Sequence, residues 1–269
     1  MTTDHVKRFT GVLQKIPNRV SIHVKLALGR IVNHLKVEQT VVKEFHKFYY
    51  GDRWGTWRNT FFFGHPIAKC PLDLWVYQEL IYELRPDVII ECGTYRGGSA
   101  LFLASMCELV NHGQVVTIDV VERNDNPQHS RIHYLVGSSI SPEVIETVAQ
   151  IVGTQEKVLV ILDSDHHQEH VLNELRIYST FVPKGSYLIV EDTNLNGHPV
   201  TPQFGPGPME AVAEFLQENQ DFMIDKTKEK FYLTFNPNGY LKRIASNNLR
   251  RISLDDRVTA SAALRPAEV

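Results

Sequence analysis

The stretch DVIIECGTYRGGSA (87–100) decides the fold. Its first five residues form a β-branched, apolar run ending in Glu91, which is the pattern of a buried strand. Clustered glycines follow at 93, 97 and 98, and a small-residue helix opens directly after them. Such glycines let the backbone turn tightly and come close to a bound ligand. In an open α/β sheet, ligands settle at the carboxyl ends of the strands, where this loop falls. The next strand, QVVTID (114–119), ends in Asp119, an acid placed to accept hydrogen bonds from both hydroxyls of a ribose.

Further short strands are expected at RIHYLV (131–136), KVLVILD (157–163), GSYLIVE (185–191) and FYLTF (231–235). Amphipathic segments of helical length separate most of them, at 142–152, 169–181 and 209–219. Continuous apolar strands alternating with helices predict an α/β fold: a doubly wound, mostly parallel seven-stranded sheet covered on both faces. DFMID (221–225) and FYLTF, with a few polar residues between them, suggest a C-terminal antiparallel hairpin. Residues 1–70 are basic and then aromatic, contain no convincing strand, and read as a helical, aromatic extension serving as lid or oligomerisation element. Residues 71–244 form the cofactor domain, and 245–269 lose periodicity as a mobile tail does.

Within the extension, Ile22, Leu26, Ile31 and Leu35 can line one helix face that also carries Lys25, Arg30 and Lys36. A basic amphipathic helix lies on a membrane surface, on its own protein or on a neighbouring subunit. The aromatic stretch from Trp54 through Trp57 and Phe61 to Phe63, together with the Gly/Pro-rich loop from His198 to Pro208, either closes over a site or simply packs on the sheet. The chain has 269 residues, 43% of them apolar, and a formal net charge of -3, which gives no reason to expect nucleic-acid binding. No apolar run is long enough to cross a bilayer, and the N-terminal stretch lacks a signal-peptide core. Cys70, Cys92 and Cys107 have no metal-ligand spacing, so a reduced cytoplasmic enzyme is expected.

The loop reads E-x-G-x-x-x-G-G, not the G-x-G-x-x-G that seats a pyrophosphate. A carboxylate at Glu91 repels a pyrophosphate but suits the ammonium and sulfonium of S-adenosylmethionine. Candidate contacts to that cofactor are Glu91, Gly93, Thr94, Tyr95, Gly98, Ser99 and Asp119. Gly137, Ser138 and Ser139 after the third strand, and Asp163 and Asp165 after the fourth, complete the set. The competing reading is that Gly97, Gly98 and Ser99 merely let helix and strand pack.

The fourth strand ends in Asp163-Ser164-Asp165-His166-His167 and the fifth in Glu191-Asp192-Thr193-Asn194. Four converging acids raise one another's pKa unless a cation neutralises them. Hard carboxylate oxygens suit magnesium, manganese or calcium, with Asp163, Glu191 and Asp192 as preferred ligands. His166, three residues past Asp163, can reach a substrate at the metal, and an imidazole suits general-base work near neutrality.

The combination ECGTYRGGSA, LDSDHH and VEDTN resembles the cephalosporin hydroxylase family, which includes rhamnosyl O-methyltransferases. Similarity also covers WRNTFFFGHP, DLWVYQEL and GHPVTPQFGPGPMEAV, from about Trp54 to Arg243. The resemblance implies the Rossmann-like class I methyltransferase fold and a magnesium site formed by Asp163, Glu191 and Asp192. It also places His166 where related enzymes hold the base. The function implied is magnesium-dependent methyl transfer from S-adenosylmethionine to a hydroxyl of a small molecule, such as a sugar diol or a natural product; the N-terminal extension separately suggests a homo-oligomer. Alternatives are an iron-dependent hydroxylase using His166, His167 and His170, a non-catalytic S-adenosylmethionine-binding partner subunit, and a dinucleotide-dependent oxidoreductase.

Overall fold

The computed structural model describes residues 22–245, with side chains from residue 36 onward. The chain divides into two compact units, Met1–Gly51 and Asp52–Val269. In the first, α1 (Ile22–Tyr50) is a single 29-residue helix. The expected apolar positions Ile22, Leu26, Ile31 and Leu35 fall within it, but their side chains lie outside the described ones, as does the expected tail beyond Ala245. Among the described residues no helix is long and apolar enough to cross a membrane.

The second unit opens with a two-stranded antiparallel pair, β1 (Phe61–Phe62) and β2 (His65–Pro66). This corrects the expectation that the first 70 residues hold no strand; the turn through Phe63 and Gly64, both at positive φ, folds the aromatic run back on itself. Helices α2 (Pro71–Leu84), α3 (Gly98–Leu109), α4 (Pro142–Val152), α5 (Gln168–Tyr178) and α6 (Pro208–Glu218) then alternate with the main strands. These are β3 (Val88–Cys92), β4 (Gln114–Asp119), β5 (Ile132–Val136), β6 (Val158–Leu162), β7 (Tyr187–Val190), β8 (Phe222–Ile224) and β9 (Tyr240–Arg243).

The seven main strands form one sheet in the order β5-β4-β3-β6-β7-β9-β8. The first five are mutually parallel, while β9 runs antiparallel to both β7 and β8. Every residue of β3 and β6 is buried, as the unbroken apolar runs require. One face packs on α4, α5 and α6 through Val148, Leu175 and Phe215; the other packs on α2 and α3 through Leu80 and Leu103. From β3 the chain builds outward through β4 and β5 on one side and returns through β6 to the other. A crevice therefore opens at the carboxyl ends of β3 and β6.

The C-terminal hairpin exists, but its second strand is Tyr240–Arg243 rather than FYLTF. Tyr232 sits at φ 66, in the left-handed region, which interrupts any extended run. The Phe235 amide, which a strand would use for its ladder, and the Thr234 hydroxyl instead bond to the buried Asp73 of α2. Thr234 Oγ1 donates to Asp73 Oδ1 at 2.5 Å, and the Phe235 amide donates to Oδ2 at 2.8 Å. Alternation in FYLTF thus reflects a segment buried along the domain, not sheet pairing.

Candidate active site

Register along the sheet aligns the ends of four strands. Cys92 pairs with Ile118 on one side and Leu162 on the other, and Leu162 pairs with Val190. The next residues of these strands, Gly93, Asp119, Asp163 and Glu191, therefore emerge in one row above the crevice.

The glycine loop wraps the first half of that row. Asp119 is held by two backbone amides, Tyr95 N–H to Oδ2 at 2.8 Å and Val121 N–H to Oδ1 at 2.9 Å. Its carboxylate is thus fixed at the strand end while still partly exposed. Glu91 is fully buried; Oε2 accepts from the Thr117 hydroxyl at 2.8 Å, and Thr94 bonds the same hydroxyl at 2.7 Å. Glu91 Oε1 is buried with no hydrogen bond of full geometry; burial raises the carboxyl's pKa, while Lys69 and then the nearby Ser99 hydroxyl lower it. A buried carboxylate beneath the loop, with Lys69 acting on it from one side, disfavours an anion above it, so the residues fit S-adenosylmethionine better than an anionic cofactor.

The glycines also answer to packing. A Cβ on Gly93 would lie 1.8 Å from the Asp163 carbonyl oxygen, and one on Gly98 would lie 2.2 Å from that of Pro66. Ser99 is likewise buried, whereas Tyr95 is 52% exposed. On the next turn, the Gly137 amide donates to the Asp119 carbonyl at 2.8 Å, which brings Gly137 and Ser138 beside the ribose-type acid. Ser139 faces inward, its hydroxyl donating to the buried Glu174 at 2.5 Å.

The second half of the row is acidic. Asp163, His166 and Asp192 each offer a ligand atom, all within 4.8 Å of one another, and His166 Nε2 lies 3.2 Å from Asp192 Oδ2. Carboxylate oxygens with one imidazole suit a hard divalent cation. Glu191 sits one residue away, but its Oε1 accepts from Lys69 Nζ at 2.5 Å and from the Tyr77 hydroxyl at 2.9 Å. Lys69 also donates to Asp163 Oδ2 at 2.5 Å. Asn236 completes the support, donating to the Tyr77 oxygen at 2.9 Å and accepting from the Asp192 amide at 3.1 Å.

Asp165 does not join the cluster. It turns away to accept from the His167 amide at 2.8 Å and pairs with that imidazole at 2.6 Å. The acid that comes close enough to act on Lys69, beside Asp163 and Glu191, is Glu91 of β3, which the sequence pattern assigns to the cofactor and not to this cluster. Burial first, then the charge of Asp163, push Glu191 well above the usual carboxylate range, with Lys69 opposing. Burial also raises Asp192, against the pull of His166. Burial alone would draw the Lys69 ammonium down, but Asp163, Glu191 and Glu91 outweigh it and hold the group above its ordinary value.

Lys69, Tyr77 and Asn236 are absent from the sequence-level site. Lys69 carried a readable signal, since a lone lysine within PIAKCPL (66–72) is flanked by residues that seek the interior. Tyr77 and Asn236 had none.

The loop from His198 to Pro208 lies against this end of the sheet. Glu210 of α6 accepts from Asn196 and the Gly207 amide and pairs with His198. Phe204 stacks on His167 at 5.3 Å, and Gln168 N–H donates to the Pro206 carbonyl. The aromatic stretch divides its roles. Trp57 packs edge-on against Phe235 and Phe62 against Phe102, while Trp54, Phe61 and Phe63 are exposed.

A parallel sheet extended by an antiparallel hairpin, with a glycine loop and ribose-type acid beside an acidic cluster, defines a class I methyltransferase. Residues 54–244 match the model of the Rhamnosyl O-methyltransferase/CmcI family. Rhamnosyl O-methyltransferases of Mycobacterium tuberculosis and Mycobacterium leprae are 38% and 37% identical over 76% of this chain, covering 85% and 91% of their own lengths. The chain belongs to this family, and it is an S-adenosylmethionine-dependent O-methyltransferase. Among solved structures, an apo form of CmcI superposes with a TM-score of 0.56 at 22% identity, covering 70% of this chain and 78% of CmcI. A magnesium and S-adenosylmethionine complex of CmcI gives 0.52 over the same shares, so the two have a common fold.

Proposed function

We propose that the enzyme methylates a hydroxyl of a sugar diol, of rhamnosyl type, with a divalent cation held by Asp163, Asp192 and Glu191. The observation that carries this reading is the convergence of Asp163, His166 and Asp192 within 4.8 Å, in the same row of strand ends as Asp119. The rhamnosyl relatives, matched over most of their length, support the choice of acceptor. When bound, a magnesium ion held by Asp163, Asp192 and Glu191 would supply positive charge that favours loss of the acceptor's proton, and S-adenosylmethionine would supply the methyl group.

The chain's own residues do the rest. Asp119 receives the ribose hydroxyls, and its two amide donors keep its oxygens from rotating. His166 Nε2 takes the acceptor proton, and Asp192 Oδ2, 3.2 Å away, stabilises the charge that the imidazole acquires. Tyr77 and Asn236 orient Glu191 and Asp192, which limits reorganisation during the reaction. Phe204, stacked on His167 next to the site, supplies apolar surface that excludes water from a bound sugar. The enzyme is read as a homo-oligomer working in the cytoplasm, which light scattering and cell fractionation test. The decisive experiment measures labelled methyl transfer to rhamnosyl and other diol acceptors with magnesium, then with excess chelator. Transfer that persists undiminished in chelator removes the metal from the reading, and no transfer to any sugar removes the acceptor class.

A further inference from the structure

The acidic cluster already contains a cation, and it comes from the chain itself. Lys69 follows β2 and reaches the strand ends from residues far away in sequence. Its side chain is only 4% exposed, and its ammonium bonds Asp163 Oδ2 and Glu191 Oε1 at 2.5 Å each. Those two oxygens belong to residues assigned to the divalent cation. Asp192 lies beside them, and Glu91 is buried near the carboxyl end of the neighbouring strand. Without Lys69, these carboxylates, Glu91 and Glu191 buried and Asp163 and Asp192 half-buried, would face one another with the His166 imidazole as the nearby basic group among the described residues.

We propose that Lys69 is a resident counter-cation: it holds Asp163 and Glu191 together before the divalent ion arrives, and it weakens the site's affinity for that ion. The inference rests on the metal reading given above. Its physical content is electrostatic competition. A fixed positive charge beside the ligand oxygens repels an incoming dication and occupies oxygen lone pairs that the dication would use. The same charge lets the metal-free site exist as a folded, preorganised pocket instead of a cluster of repelling acids. Lys69 is therefore a positioning residue that sets metal affinity, while a dication can substitute for it in neutralising the cluster.

The test is calorimetric titration of Mn2+ into chelator-stripped wild type and Lys69→Met, with melting temperatures measured with and without the ion. Lys69→Met is expected to bind Mn2+ about tenfold more tightly or better. Its melting temperature without metal should be lower, and its rise on adding metal larger, than in the wild type. Lys230→Met, which removes a surface ammonium paired with Glu79, is the control for a general loss of positive charge and should match the wild type. Equal or weaker binding by Lys69→Met, or equal tightening in Lys230→Met, overturns the proposal and leaves the metal reading intact. Failure of Lys69→Met to fold even when prepared in excess Mn2+ also overturns it, because the dication then does not replace the ammonium. Absence of Mn2+ and Mg2+ binding by the wild type is a different result, which removes the metal reading and the proposal together.

Discussion

At the level of single residues, the two halves of the strand-end row make separable demands. Asp119 is a rigid acceptor, its oxygens fixed by the Tyr95 and Val121 amides. Hydrogen bonds to a charged group contribute about 1.5–3 kcal/mol each. With both ribose hydroxyls bonded to it, Asp119→Ala should therefore weaken S-adenosylmethionine binding by about 10²–10⁴-fold, read by calorimetry, with metal binding unchanged. His166 stands close enough to Asp163 and Asp192 to be either proton acceptor or ligand. As the base, His166→Ala lowers kcat by about 10²–10⁴-fold and leaves the Mn2+ dissociation constant near that of the wild type. A large loss of metal affinity in that variant would reassign His166 as a ligand.

Among the elements, the segment between β8 and β9 matters more than its irregular backbone suggests. It was legible as apolar and extended, hence the expectation of a strand at FYLTF. What redirected it is Asp73, buried on α2, which takes up Thr234, the Phe235 amide and the Tyr240 hydroxyl. That anchor places Asn236 beneath Tyr77 and the Asp192 amide, so a carboxylate outside the site shapes the support of the site. Burial pushes the Asp73 carboxyl up to about 6, against the lowering effect of its three hydrogen bonds. The sign follows from the unfolded value near 3.9. Folding takes up a proton between these values, so this group's contribution is most favourable below about pH 4 and is lost as pH rises through about 6. Asp73→Asn puts an amide donor where the Phe235 N–H donates and costs about 1–3 kcal/mol at pH 5. Because only the wild type then bears the cost of a buried charge, the gap should narrow by pH 7.5. Urea unfolding at the two pH values measures it, and a pH-independent gap would contradict the assignment.

For the whole molecule, stability rests on the centre of the sheet. Ile161 of β6 is fully buried between β3 and β7, whereas Met223 of edge strand β8 is 49% exposed. Ile161→Ala is expected to cost about 2–5 kcal/mol in denaturant unfolding. Met223→Ala should cost within about 0.5 kcal/mol, as surface changes do. Similar costs at both positions would mean that the edge strand bears as much of the fold as the centre.

The sequence by itself determined the alternation of strand and helix, the two-sided burial of β3 and β6, and the placement of Asp119, Asp163, Glu191 and Asp192 at strand ends. Each of these is written in local periodicity, because a strand buried on both faces must be apolar throughout and must end where a polar residue reaches water. Only the tertiary structure decided which of those acids meet, and what neutralises them. Asp165 left the cluster because its nearest donors are its own neighbours at His167, and Glu91 entered because strand register carries β3 alongside β6. Lys69 reached the site from just before α2, Tyr77 from within α2, and Asn236 from the segment between β8 and β9. A buried charge takes its partner from whatever chain folds against it, and the sequence positions of those partners carry no periodic mark.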